Sequence, residues 1–172
     1  MNIYTQKFTL SSHILEFDSA KGILRCMPLG SGKVAWVKQL DDISDIGTVS
    51  ENRDIFFLSC TIDETSGKFT ALSKTDGATS WFMPGREFLH VLHKDSLFLI
   101  FIDGEGVYYF LKIDAKDGSP AWQRAVESDL YEYIIDDDSV TLLYKSGRTE
   151  YIDRETGGTL PPRQASRIAT RM

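Results

Sequence analysis

The residues that could do chemistry are few and scattered. His90 and His93, in His-Val-Leu-His, form the only close histidine pair. On an extended strand they point to opposite faces, so they cannot share a metal ion without a bend. They read as ordinary strand and turn histidines, and His13 stands alone at a turn. Asp136-Asp137-Asp138 offers three carboxylates, but neighbours along an extended chain alternate in direction and build no oxygen cage. Asp103-Gly-Glu-Gly106 and Asp114-Ala-Lys-Asp117-Gly118 have partial calcium-loop texture. Both also fit hairpin turns, where Asp and Gly occur for conformational reasons. Cys26 and Cys60 are the only cysteines, each in an apolar stretch, which favours free buried thiols in a reducing compartment. No Gly-x-Ser-x-Gly elbow is present, and no histidine shows a recognisable nucleophile partner. Gly30-Ser-Gly-Lys33 is too short for a phosphate cradle. No catalytic residue, metal ligand or cofactor is assigned.

The elements that would position these residues repeat along the chain. Four glycine turns open the same five-residue frame: Gly32-Lys-Val-Ala-Trp36, Gly77-Ala-Thr-Ser-Trp81, Gly118-Ser-Pro-Ala-Trp122 and Gly157-Gly-Thr-Leu-Pro161. The glycines lie 45, 41 and 39 residues apart. Short apolar runs rich in β-branched and aromatic residues recur between them, at Ile14–Phe17, Ile55–Cys60, Leu97–Ile102 and Val140–Tyr144. Bounded by turn residues, such runs read as strands buried on both faces. A third strand follows in each unit (Ile23–Met27, Phe69–Leu72, Val107–Ile113, Thr149–Ile152), then the glycine turn and a fourth strand carrying the tryptophan. No stretch has a convincing helical period. A four-stranded repeat of about 40 residues is the signature of a propeller blade, and stacking such sheets buries both faces.

The frame Ile113-Asp-Ala-Lys-Asp-Gly-Ser-Pro-Ala-Trp122 resembles the tryptophan-docking repeat of the PQQ-like (pyrroloquinoline-quinone-type) β-propeller family. Ile152–Gly157 matches its first half, Leu72–Trp81 most of it, and Leu29–Trp36 its Gly-to-Trp part without the Asp. The resemblance implies an all-β propeller of four four-stranded antiparallel blades, at about 3–38, 45–83, 87–125 and 130–160, in one domain over residues 1–160. It implies that Trp36, Trp81 and Trp122 pack between blades and that Gly32, Gly77, Gly118 and Gly157 form the docking turns. The last blade has Pro161-Pro162 where a tryptophan and a full outer strand belong. Because Ile14–Phe17 and Val140–Tyr144 are as apolar as the interior runs, the terminal blades are expected to be covered too. That favours a closed ring, completed to eight blades by a head-to-tail homodimer or four-bladed in one chain, over an open arc.

Charge narrows the partners. The chain carries 25 acidic and 19 basic side chains. Residues 161–172, a basic tail with Arg163, Arg167 and Arg171, contain no acid, so the body is more acidic still. An acidic body repels phosphate backbones, and no apolar run approaches the ~20 residues that span a bilayer. Neither nucleic acid nor membrane is expected as a partner, no signal peptide is seen, and a cytoplasmic location follows. In a propeller, the loops joining the second and third strands share a rim with those joining successive blades. Here these hold Asp18, Asp63, Glu64, Asp103 and Glu105, then Asp41, Asp42, Asp45, Glu127 and Asp129, against a few bases such as Lys21 and Arg86. Such a face would dock a basic protein. The expected function is a non-catalytic interaction module, an acidic inhibitor, immunity-type or scaffold protein. The alternative is a lactonase-like hydrolase or ligand sensor using the central channel, with Asp45, Glu87, Glu132 and His90 on the inner strands.

Overall fold

A computed structural model describes residues 4–162 and shows fifteen strands in four sheets. Blade one comprises β1 (Thr5–Thr9), β2 (His13–Asp18), β3 (Ile23–Pro28) and β4 (Trp36–Gln39). Blade two comprises β5 (Asp45–Glu51), β6 (Ile55–Thr61), β7 (Gly67–Ser73) and β8 (Thr79–Pro84). Blade three comprises β9 (Arg86–His93), β10 (Ser96–Ile102), β11 (Tyr108–Asp114) and β12 (Pro120–Ala125). Blade four holds only β13 (Leu130–Ile135), β14 (Ser139–Tyr144) and β15 (Thr149–Asp153). Its fourth strand shrinks to one bridge between Ile152 and Thr159, because Pro161 and Pro162 cannot donate to a ladder. Each blade is an antiparallel meander in chain order.

Cores form where blades stack, at three interfaces among the described residues. Leu15, Phe17, Leu24 and Trp36 of blade one meet Ile46, Phe56, Leu58 and Leu72 of blade two. Phe57, Phe69 and Trp81 then meet Leu97, Leu99 and Ile113. Phe98, Ile100 and Phe110 meet Leu130, Val140, Leu142 and Tyr144. Interior second strands are therefore apolar at successive positions, one face serving each neighbour.

Each interface is closed by a tryptophan seated on the next blade's glycine turn. The indole Nε1–H groups of Trp36, Trp81 and Trp122 donate to the carbonyls of Lys74, Ala115 and Arg154 at 2.9, 3.0 and 3.0 Å. A Cβ on Gly77, Gly118 or Gly157 would lie 2.5–2.7 Å from the ring carbons of Trp36, Trp81 or Trp122, so these turns require glycine for the close approach. Gly32 departs from the expected role: nothing stands within 4 Å of its Cβ position, because no blade precedes it among the described residues.

Closure of a four-bladed ring within this one chain is not seen: among the described residues no core cluster joins blade four to blade one. The premise fails at the terminal strands. Glu16 occupies the position taken by Leu58, Leu99 and Leu142 in the later blades, and it lies between Lys7 and Arg25 across the sheet. On blade four, Thr141 stands where Leu15, Phe57 and Phe98 face the next blade, and neighbouring Ile134 is 50% exposed. The basic tail with Arg163, Arg167 and Arg171 lies outside the described residues.

Candidate functional site

Three of the first strands carry a β-bulge at matching places. In β5 two residues, Gly47 and Thr48, oppose Ser59 between the pairs Ile46–Cys60 and Val49–Leu58. In β9 Phe88 is extra between Glu87–Phe101 and Leu89–Ile100. In β13 Tyr131 is extra between Leu130–Tyr144 and Glu132–Leu143. A bulge turns its extra side chain out of the pleat. Gly47, Thr48, Phe88 and Tyr131 accordingly line one cleft of about 510 Å³, completed by Ile102, Tyr108, Arg86, Lys145 and neighbouring residues, three of them from β6. The volume is that of a small-ligand or side-chain site. Phe88 and Tyr108 meet edge to face at 6.3 Å between ring centres. Blade one has no such bulge in β1.

Beneath the cleft two of the inner-strand candidates, Glu87 and His90, meet a residue that sequence reasoning missed, Ser50. Glu87 occupies the slot that Ile46 and Leu130 fill in the flanking blades, yet its side chain is fully buried. Its Oε2 stands 3.2 Å from His90 Nδ1, without the alignment of a hydrogen bond, and Oε1 likewise has no hydrogen-bond partner. His90 Nε2 and Ser50 Oγ lie 2.7 Å apart across the interface between blades two and three. The order serine–histidine–carboxylate is that of a nucleophile relay. The imidazole is nearly sealed and lies 5.0 Å, ring centre to ring centre, from Phe69. Neither it nor Ser50 lines the cleft. Ser50 and His90 tie two blades together, and of the cluster only Glu87 borders the cleft. Ser50 and His90 are 40 residues apart, a separation with no local signature.

Of the inner-strand candidates Asp45, Glu87, His90 and Glu132, only Glu87 and His90 come together. Among the described residues no three His, Cys, Asp or Glu side chains converge as metal ligands would. His93 contacts Arg154 Nη1 at 3.1 Å, on the side of blade four, so the two histidines do face opposite ways. His13 packs edge-on against Phe56. Asp136–Asp138 form the β13–β14 turn.

The acidic rim divides into two sets. Asp18 is buried, and its carboxylate accepts the backbone N–H groups of Ala20 and Lys21; it closes its own turn rather than facing a partner. Asp63 accepts Thr65 and Ser66 N–H groups, which hold its carboxyl down at about 2. Asp103 caps Glu105 and Val107, and Asp129 caps Ser146. Asp114 and Asp117 do the same for Lys116 and Ser119, which accounts for the calcium-like texture. Asp41, Asp42, Glu64, Glu105 and Glu127 remain exposed on loops of the rim that bears the cleft. Cys26 and Cys60 are buried free thiols, pushed up by desolvation to about 11 and about 12.

No family model and no curated protein matches the chain. Solved structures do. BamB from Moraxella catarrhalis superposes with a TM-score of 0.63 at 18% identity, over 87% of this chain and 49% of its own. The fold is that of a β-propeller. The computationally designed Ika8 protein gives 0.65 at 13% identity, over 90% of this chain and 47% of its own. The quinohemoprotein alcohol dehydrogenase ADHIIG from Pseudomonas putida HK5 gives 0.63 at 9% identity, over 94% and 34%. The chain thus spans about half the length of the first two. At such identities these neighbours speak to the β-propeller fold alone.

Proposed function

We propose that this chain is a non-catalytic interaction module that binds another protein through the rim containing the cleft. The observation that carries this reading is the exposure of large rings where no core needs them. Phe88 and Tyr131, each 44% exposed, are turned out by bulges into one hollow. Adjacent exposed aromatics around a cleft are what interface centres are made of. The free carboxylates Asp41, Asp42, Glu64, Glu105 and Glu127 on the surrounding loops would speed encounter with a partner whose periphery is basic. Affinity capture from the native source tests the reading, comparing the wild type with a Phe88→Ser/Tyr131→Ser double variant. The expected result is a macromolecule retained by the wild type and lost by the variant, with unfolding midpoints unchanged. Equal retention by both, or none at low and physiological salt, overturns it.

A further inference from the structure

We propose that the cleft receives an acidic, apolar segment of the partner, in which an aromatic or aliphatic residue is flanked by carboxylates. The inference rests on the interaction-module reading and supplies the partner's chemistry at that site. It begins from the charges inside the hollow. Three charged residues line it: Arg86, Glu87 and Lys145. The Glu87 side chain is fully buried against His90, so the charge presented to an occupant is Arg86 and Lys145 alone. Both are exposed, and neither forms an ion pair among the described residues. On a chain of net charge −6, a hollow whose exposed charges are both positive departs from the background. Two like charges in one cleft repel, and an anion between them relieves that repulsion.

The backbone directs one of these cations. Gly85 has φ of +137°, and its N–H donates to Gly67 O at 2.8 Å. A Cβ on Gly67 would stand 3.3 Å from Arg86 Cγ. The arginine stem therefore lies along a bare glycine, which fixes the start of the side chain and leaves the guanidinium for the cleft. The apolar half of the site is Phe88, Tyr108, Tyr131 and Ile102. With a volume of about 510 Å³, it takes one or two side chains, so a ring or leucine can enter while its neighbouring carboxylates reach the cations. A lysine or arginine anchor would meet like charge here. The acidic loops outside act on the partner's periphery, and the cleft selects the residue that docks.

The test uses fluorescence anisotropy on the whole chain with three labelled hexapeptides. These are Ser-Gly-Asp-Phe-Glu-Leu, its neutral counterpart Ser-Gly-Asn-Phe-Gln-Leu, and its basic counterpart Ser-Gly-Lys-Phe-Lys-Leu, all with amidated ends. Saturable binding of the acidic peptide is expected, at least tenfold tighter than either counterpart and weakened by salt. Arg86→Ala and Lys145→Ala should each weaken it about tenfold, and Tyr131→Ala by a similar factor, with circular dichroism unchanged. Equal binding of the three peptides, preference for the basic one, indifference to both cation substitutions, or no saturable binding overturns the proposal. If Arg86→Ala/Lys145→Ala still captures a macromolecule that the Phe88/Tyr131 variant loses, the interaction module stands and this anchor chemistry falls.

Discussion

The faces between blades and the faces at the ends of the stack are built from the same strands in the same order, yet they differ at one row. In blades two, three and four the row facing the preceding blade centres on Leu58, Leu99 and Leu142, each fully buried. In blade one that row reads Lys7, Glu16 and Arg25. At the other end, Thr141 replaces the phenylalanines of blades two and three. A sheet face with a neighbour needs apolar area, and one without a neighbour needs polar groups to stay in water, as terminal repeats of stacked arrays do. What distinguishes the two is the parity of the polar residue in the strand, not the strand's mean hydropathy.

The sharpest way to break the comparison is to exchange the two chemistries. Leu99→Glu buries an unpaired charge and should cost more than about 4 kcal/mol, enough to abolish cooperative unfolding in urea. Glu16→Leu should change stability by less than about 0.5 kcal/mol. A large loss from Glu16→Leu would mean that the end face is covered after all. Light scattering of the wild type should accordingly give a mass near 19.4 kDa at all concentrations. Next comes the docking itself. Trp81→Ala removes a buried indole and its bond to Ala115 O, and should cost about 3–5 kcal/mol by urea midpoint. Gly118→Ala drives a methyl into Trp81 at a φ of +74° and should cost about 3 kcal/mol. Gly32→Ala, at a φ of +63° but in open space, should cost only about 1 kcal/mol. Equal losses at the two glycines would remove the distinction between occupied and empty turns.

Two smaller effects sharpen the contrast among the interfaces. Glu87→Leu installs the kind of residue its counterparts Ile46 and Leu130 supply, and should stabilise by about 1 kcal/mol, since a buried carboxylate without hydrogen bonds costs more than it returns. A loss of that size would instead make the carboxylate part of the tie to Ser50. The first interface also holds both thiols. Their folded values, raised to about 12 for Cys60 and about 11 for Cys26 from 9.0, mean that the folded state keeps protons the unfolded chain gives up. Stability is therefore full below pH 9 and falls as pH rises through these values. At pH 8 both thiols should react with iodoacetamide at least about 100-fold more slowly than in urea, Cys60 more slowly than Cys26, as followed by mass spectrometry.

Much of this architecture is legible in the sequence because repetition samples each rule several times. Strand runs, glycine turns and the tryptophan seats all recur, and the predicted second strands match β2, β6, β10 and β14 to within one residue at each end. Gly32 misled because its sequence frame is intact while its function depends on a neighbour. The run Ile14–Phe17 reads as apolar by three residues in four, and only the pairing of Glu16 with Lys7 and Arg25 reveals which way the exception points. The cleft escaped for a different reason. Phe88 and Tyr131 are placed by bulges, which are properties of a pair of strands, so neither strand's own alternation announces them. Ser50 and His90 belong to different repeats and meet only through stacking.

Each tryptophan finds its seat in the repeat that follows it. The three indole bonds span 38, 34 and 32 residues, always toward the C-terminus. During synthesis this makes the chain a ratchet. A blade leaves the ribosome with its indole unanswered and stays open until the next glycine turn has been made, so no interface waits for the whole protein. Each unit is held in reserve by one pending contact, released in order. A nascent chain stalled within blade three would already have the first seat filled and the second still open.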